Sequence, residues 1–262
     1  MDLQLKDKVA VVMAASKGLG AGTARAFAEE GARVVITGRD LKTLQRTAES
    51  ISNATKAQVL AVEADSAVPE DVTRLMETTV QTFGRIDALV VNAGGPPSGK
   101  FMDFDDAAWQ SAIELTLMSA VRAARAAIPI MQKQRGGSIT FITSVSVKHT
   151  IDNLIFSNSL RLAVAGIVKT LAREVGQDNI RINLIGPGYT ATDRIMELAN
   201  VNAQRNGTSV EEELAKTGAN TALGRVATIE EFAKPCVFLA SPAAGFITGA
   251  ILMVDGGQSR AI

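Results

Sequence analysis

Short apolar runs and helical stretches alternate from Val9 to Val254, and that alternation limits the fold more than any other feature of this 262-residue chain. Successive strands separated by helices run parallel, with right-handed crossovers that place helices on both faces of one sheet. The strands are predicted over 9–13, 33–37, 58–62, 88–91, 138–142, 180–185 and 251–254. They predict an α/β fold: a doubly wound parallel sheet of about seven strands. Helices are predicted over 21–30, 41–52, 69–83, 106–134, 153–176 and 229–240. Pro69 suits a first helical turn and Gly84 a helix end, while Pro129 is expected to bend the fourth helix. The whole of 1–262 reads as one domain, with a broken helical segment at about 192–223. Ligands of such sheets bind beyond the carboxyl ends of the strands. The loops after Met13, Thr37, Val62, Val91, Ile142 and Ile185 are therefore where a site is expected.

The first of these loops is the most informative. Ala14-Ala15-Ser16-Lys17-Gly18-Leu19-Gly20 joins the first strand to an Ala-rich helix. A strand, a Gly-rich loop and a helix in that order present free backbone N–H groups and a positive helix end to a phosphate. Gly18 and Gly20 leave no Cβ between backbone and ligand. The competing reading is that Gly and Ala here only allow tight strand–helix packing.

Charge and composition exclude several classes. Lys plus Arg and Asp plus Glu both number 27, and no basic run marks a nucleic-acid or anionic-membrane surface. No secretory leader is visible at the N-terminus, and no stretch approaches the length of a membrane span. The lone Cys236 excludes an intramolecular disulfide, which fits a cytoplasmic location, and its apolar surroundings make it filler rather than a nucleophile.

Taken together, the loops resemble those of the short-chain dehydrogenase/reductase family over nearly the whole chain. Ala14-x3-Gly18-x-Gly20 resembles the family's cofactor loop, with Ala at its first Gly. Asp65 resembles the acid after the third strand that contacts adenine, and Asn92-Ala93-Gly94 the turn after the fourth. Pro187-Gly188 followed by Thr192 resembles the loop over the nicotinamide, and Val254-Asp255-Gly256-Gly257 the C-terminal signature. The closest general likeness is to 3-oxoacyl-[acyl-carrier-protein] reductases and a divergent group resembling them. The resemblance implies a Rossmann-type NAD(P)-binding fold, a small-molecule carbonyl or alcohol substrate, a substrate lid at about 192–223 and a homodimer or homotetramer. The helices around Leu160–Leu171 and Ile113–Ile128 carry apolar and small residues on more than one face, as such an assembly needs.

The resemblance breaks at the chemistry. The family carries Ser, then Tyr thirteen residues on, then Lys four further on. Ser144 matches the Ser, but Ser157 and Arg161 stand at the next two positions, and the only tyrosine of the chain is Tyr189. Thr116 stands where the family's Lys-supporting Asn is expected. Hydride delivery to a carbonyl leaves charge on oxygen, and an acid must protonate it. A Ser hydroxyl is a far weaker acid than Tyr, and Arg161 stays charged and cannot relay a proton as Lys does. Its fork can still hold ribose hydroxyls.

Substitute acids each carry a plainer reading. His149, the only histidine, lies in the loop after Ser144 and suits a general acid near neutral pH, against the favoured reading of a non-catalytic loop residue. Lys148 reads more simply as a solvated charge, and Tyr189 as packing. Ser144 with Ser157 can hold a water as donor, or Ser157 can simply fill the space of a lost side chain. At the cofactor end, an acid after the second strand would accept from the ribose 2′-hydroxyl of NAD. Gly38 occupies that place, followed by Arg39, with Lys17 nearby, so NADP(H) is expected over NAD(H). Asp40 is expected to cap the next helix. Two functions remain: an NADP(H)-dependent oxidoreductase with an impaired site, or a non-catalytic nucleotide-binding partner subunit.

Overall fold

The protein is described here from a computed structural model covering residues 1–261. Seven parallel strands form one sheet: β1 (Val9–Val12), β2 (Arg33–Gly38), β3 (Val59–Glu63), β4 (Ala88–Val91), β5 (Gly137–Ile142), β6 (Ile180–Pro187) and β7 (Ile251–Val254). Their order is β3-β2-β1-β4-β5-β6-β7. The chain winds outward from β1 to β3, returns to the other side of β1 as β4, and then winds outward again. The carboxyl ends of β1 and β4 therefore flank the switch point, where a crevice opens.

The described residues form nine α-helices: α1 (Gly18–Glu29), α2 (Leu41–Thr55), α3 (Pro69–Phe83), α4 (Asp106–Ile113), α5 (Ser119–Lys133), α6 (Ile155–Glu174), α7 (Asp193–Asn206), α8 (Val210–Gly218) and α9 (Ile229–Ala240). Burial on both faces explains why the strand sequences are continuous apolar runs rather than alternating ones. In β1 and just beyond it, Val11 and Met13 join the core with Leu75, Met131 and Val168, while Ala10 and Val12 join the opposite core with Phe27, Leu44 and Phe232. Each fully buried Val, Leu or Phe contributes about 1.5–3 kcal/mol relative to exposure.

Several helix ends follow local rules. Pro69 opens α3, and Gly84 closes it in the left-handed conformation at φ 78°. Asp40 caps α2 by accepting from the backbone N–H groups of Lys42 and Thr43, which lowers its pKa together with the Thr43 hydroxyl bond. Thr228 and Glu231 form a reciprocal capping box on α9.

The stretch 106–134 is helical almost throughout, as expected, with Pro129 inside α5; the feature the sequence did not announce is a π-helical turn at Glu114–Met118 that joins α4 to α5. Such turns insert an extra residue per helical repeat and are frequent at functional sites. One helical expectation needs correction: a segment with the length of a membrane span does occur, since the 20-residue α6 reaches a mean hydropathy of 1.2. Its apolar content serves the core: Phe156, Leu160, Val164 and Val168 are all buried in the fold.

Candidate active site

A cleft of about 930 Å³ lies at the carboxyl ends of the strands, lined by residues of every loop the sequence singled out. Its volume suits a cofactor and a small molecule together. A separate groove of about 780 Å³ between α3 and α5 contains none of the expected site residues.

The floor of the cleft is built largely from backbone. Ala14 turns left-handed at φ 48°, which lets Ser16 and Lys17 swing up to the N-terminus of α1. Gly20 is required there, because a Cβ would collide with the backbone of Ala14 and Ala15. Lys17 takes the N-cap position of α1 without a side-chain cap, so the first N–H groups of the helix keep no side-chain acceptor. The Asn92 side-chain amide donates to the Ala14 carbonyl at 3.2 Å and locks the β4 turn to this loop. Thr47 Oγ1 donates to the Ser16 carbonyl at 2.8 Å. Ala14, Ser16, Lys17, Leu19, Asn92, Ala93 and Gly94 all line the cleft, with Gly18 and Gly20 behind them.

At the end of β2, Gly38 and the exposed Arg39 form the cleft wall. A side chain at position 38 would strike Ser16 Oγ, so the seryl side chain occupies the space an acid would need. Among the described residues Arg39 forms no ion pair, whereas Lys17 pairs at 3.7 Å with Asp193 at the start of α7. Lys17 and Arg39, expected together from sequence, both line the cleft. Asp65 lies on the wall after β3, and its carboxylate accepts from Ala67 N–H at 2.9 Å.

The far end of the cleft holds Ser144, Ser157 and Arg161 together. Ser144 follows β5 in extended backbone, and its Oγ accepts from Ser146 N–H at 3.1 Å. Ser157, in the first turn of α6, is 9% exposed. Arg161, one helical turn further, sends Nη1 to the Thr143 carbonyl at 2.8 Å. Its Nε is buried without a partner, as are the hydroxyls of Thr116 and Thr143. These three lie round a small cavity beneath the cleft, shared with Asn92 and Ser119. Thr116 sits in the π turn, so the turn places it against Arg161 rather than in the cleft itself. Burial lowers the pKa of Arg161 to about 10, with the charge of Arg194 adding to the shift. Arg161 is still a cation at neutral pH.

His149 is not on the cleft wall, and its Nδ1 is buried with no partner. The 3-10 turn Val145–Val147 stands between Ser144 and His149. Tyr189 does line the cleft, beside Pro187, Gly188 and Thr192. Burial pushes the Cys236 thiol up to about 12, consistent with its place in the core. No cluster of metal-ligating side chains occurs among the described residues.

The residue missed from sequence is Arg194, on α7. It lines the cleft and donates from Nη2 to Ser98 Oγ at 2.8 Å. Its only sequence signal is its position two residues after Thr192.

The fold and this cleft define a nucleotide-binding α/β class, and comparison with known proteins narrows it. Residues 13–259 match the family model described as enoyl-(acyl carrier protein) reductase. The chain is 32% identical over 253 residues to the short-chain reductase protein NovJ of Streptomyces niveus, covering 97% of this chain and 94% of that one. It is 32% identical over 259 residues to the 3-oxoacyl-[acyl-carrier-protein] reductase FabG of Chlamydia muridarum, covering 99% and 100%. The crystal structure of L-sorbose reductase from Gluconobacter frateurii, complexed with NADPH and L-sorbose, superposes with a TM-score of 0.97 at 35% identity over the full length of both chains. The protein belongs to the short-chain dehydrogenase/reductase family and is an oxidoreductase of that type.

Proposed function

We propose that the protein is an NADP(H)-dependent oxidoreductase acting on a carbonyl or the corresponding alcohol, with an atypical and impaired catalytic corner. The observation that carries this reading is one continuous cleft joining the Ala14–Gly20 floor to Ser144, Ser157 and Arg161. The uncapped start of α1 and the close approach allowed by Gly20 fit a pyrophosphate, and the unpaired Arg39 beside Ser16 fits a 2′-phosphate. Asp65 would face the adenine end, Asn92, Ala93 and Gly94 the middle, and Pro187, Gly188 and Thr192 the nicotinamide. The bound cofactor supplies or accepts a hydride at the substrate carbon.

The chain's own residues then handle the oxygen. Ser144 Oγ donates a hydrogen bond to the carbonyl oxygen. Arg161 lends positive charge to that oxygen and offers its free N–H groups to ribose hydroxyls, with Thr116 beneath it. Proton delivery falls to a water held by Ser144 and Ser157 that passes on a proton taken from solvent, since neither hydroxyl is an adequate acid by itself. A 3-oxoacyl thioester is the substrate class suggested by the FabG relatives, and a sugar ketone the one suggested by the sorbose reductase. A non-catalytic partner subunit is the second reading, favoured by Ser157 and Arg161 in place of Tyr and Lys.

The organisation proposed is a single domain whose 192–223 segment acts as the lid, in a cytoplasmic homodimer or homotetramer. Leu162 on α6, 55% exposed, supports assembly through that helix. Light scattering at micromolar concentration tests it, and a lone 27.5 kDa species would count against it. The decisive test of function is turnover with NADPH on 3-oxoacyl thioesters and sugar ketones. Tight NADPH binding with no turnover, in the native protein and in Ser157→Tyr/Arg161→Lys alike, would favour the partner-subunit reading.

A further inference from the structure

Two guanidinium groups line the cleft near its substrate end, and neither is in an ion pair among the described residues. Arg161 reaches it from α6 and Arg194 from α7. Arg161 spends Nη1 on a carbonyl and leaves Nε buried and unmatched. Arg194 uses only Nη2, on the neutral hydroxyl of Ser98. The carboxylate next to it in sequence, Asp193, is taken by Lys17. Asp152, the exposed acid on this part of the wall, pairs with neither arginine.

The position of Arg194 is built rather than incidental. Its Nη1 lies 2.6 Å from where a Cβ on residue 95 would be, so the guanidinium approaches the bare backbone of Gly95. Ser98 then fixes the plane of the fork. Two like charges held close in a cleft with apolar walls such as Leu115, Ile195 and Leu198 repel each other. An anionic ligand on Arg194 offsets that repulsion and meets the donors Arg194 leaves unused, and a planar carboxylate matches a guanidinium fork with two parallel hydrogen bonds.

We propose that Arg194, backed by the charge of Arg161, is the specificity-determining anchor for a substrate that bears a carboxylate beside its reacting carbonyl or alcohol. The inference rests on the oxidoreductase reading for the reacting group, but the anion seat stands on its own geometry. The same chemistry would serve a cofactor pyrophosphate, and the substrate carboxylate is favoured because Arg194 lies with Ser98 and Gly95, on the loop after β4, rather than against the Ala14–Gly20 floor.

The test uses full-length protein and calorimetry in two arms. The first measures NADPH binding to the wild type and to Arg194→Met. The second titrates 2-oxobutanoate, 3-oxobutanoate and 4-oxopentanoate, and their methyl esters, into the NADPH-saturated protein. If NADPH fails to bind, the same titrations are run on the protein alone, because the oxidoreductase reading would then have failed without touching the anion seat. At least one acid is expected to bind about tenfold or more tighter than its ester. Arg194→Met should weaken that acid by roughly 10- to 100-fold, the worth of charged hydrogen bonds, and leave its ester and NADPH unchanged. Arg194→Lys should restore part of the difference, keeping the charge without the fork. Equal binding of acids and esters, no binding of any acid, or indifference to Arg194→Met would overturn the proposal. A loss of NADPH affinity with acid recognition intact would assign Arg194 to the cofactor and overturn it equally.

Discussion

The two ends of the cleft are built on different principles. At the floor, backbone does most of the work: Ala14 and Ser16 offer carbonyls to Asn92 and Thr47, and the start of α1 offers N–H groups. At the catalytic corner, side chains carry everything, and three of their polar atoms are buried without partners: Thr116 Oγ1, Thr143 Oγ1 and Arg161 Nε. A backbone site tolerates replacements that keep its geometry, because every residue but proline brings the same N–H and C=O, while Gly20 leaves no room for a Cβ. A side-chain site changes its chemistry with one replacement. The floor and the corner therefore respond differently to substitution, and the corner holds three buried side-chain atoms without partners.

The largest expected effect breaks this contrast by rebuilding the corner. Ser157→Tyr with Arg161→Lys should raise NADPH-dependent reduction of a 3-oxoacyl thioester by about 10²-fold or more, since a positioned general acid is worth roughly 10²–10⁴. Thr116→Asn added to the pair should raise it further. His149→Ala should leave the native rate unchanged, as expected of a side chain off the cleft wall. Steady-state kinetics reads all three, and a native rate that collapses with His149→Ala would reverse the assignment.

A smaller effect separates cofactor contacts made by side chain from those made by backbone. Arg39→Ala should weaken NADPH by about 10- to 100-fold, the range for a charge-assisted bond, and leave NADH unchanged. Calorimetry with both cofactors checks it, and equal losses for the two would remove Arg39 from the 2′-phosphate. Gly20→Ala attacks the backbone floor itself. Its Cβ meets the Ala14–Ala15 backbone, so thermal or urea unfolding should show a loss of roughly 1–3 kcal/mol, with weaker binding of both cofactors.

Acid should distinguish the α7–α8 segment from the floor. Hydrogen bonds from Lys216, Thr208 and Asn206 hold the Glu213 carboxyl down at about 2. A folded pKa below the unfolded one means stability that is present above about pH 4.5 and lost as pH falls toward 2. Hydrogen exchange in α8 should rise over that window in the wild type and vary less with pH in Glu213→Gln. The smallest effect concerns Ala14, a non-glycine residue at φ 48°. Ala14→Gly relieves about 1–2 kcal/mol of left-handed strain but frees the unfolded chain by about 0.4–1 kcal/mol, a net gain of roughly 0.5–1 kcal/mol in urea unfolding.

Much of this was readable in the sequence, because local rules carried it. Pro69 and Gly84 bound α3 at the expected residues, and the apolar runs at Ala88–Val91 and Ile251–Val254 became strands as expected. Alternation of strand and helix was enough to give a parallel sheet, since no other arrangement buries those runs. The loops at strand ends, and with them most of the cleft wall, followed from that topology. What tertiary structure decided is which distant side chains meet. Ser16 fills the slot beside Gly38, Lys17 pairs with Asp193, and the π turn places Thr116 on the small cavity it shares with Arg161. Arg194 reaches Ser98 across 96 residues of chain, while His149, only five residues from Ser144, stays out of the cleft. Periodicity, caps and turns depend on neighbours a few residues apart, so sequence determines them directly. The direction of a side chain across a cleft depends on how whole layers pack, and only the folded molecule contains that information.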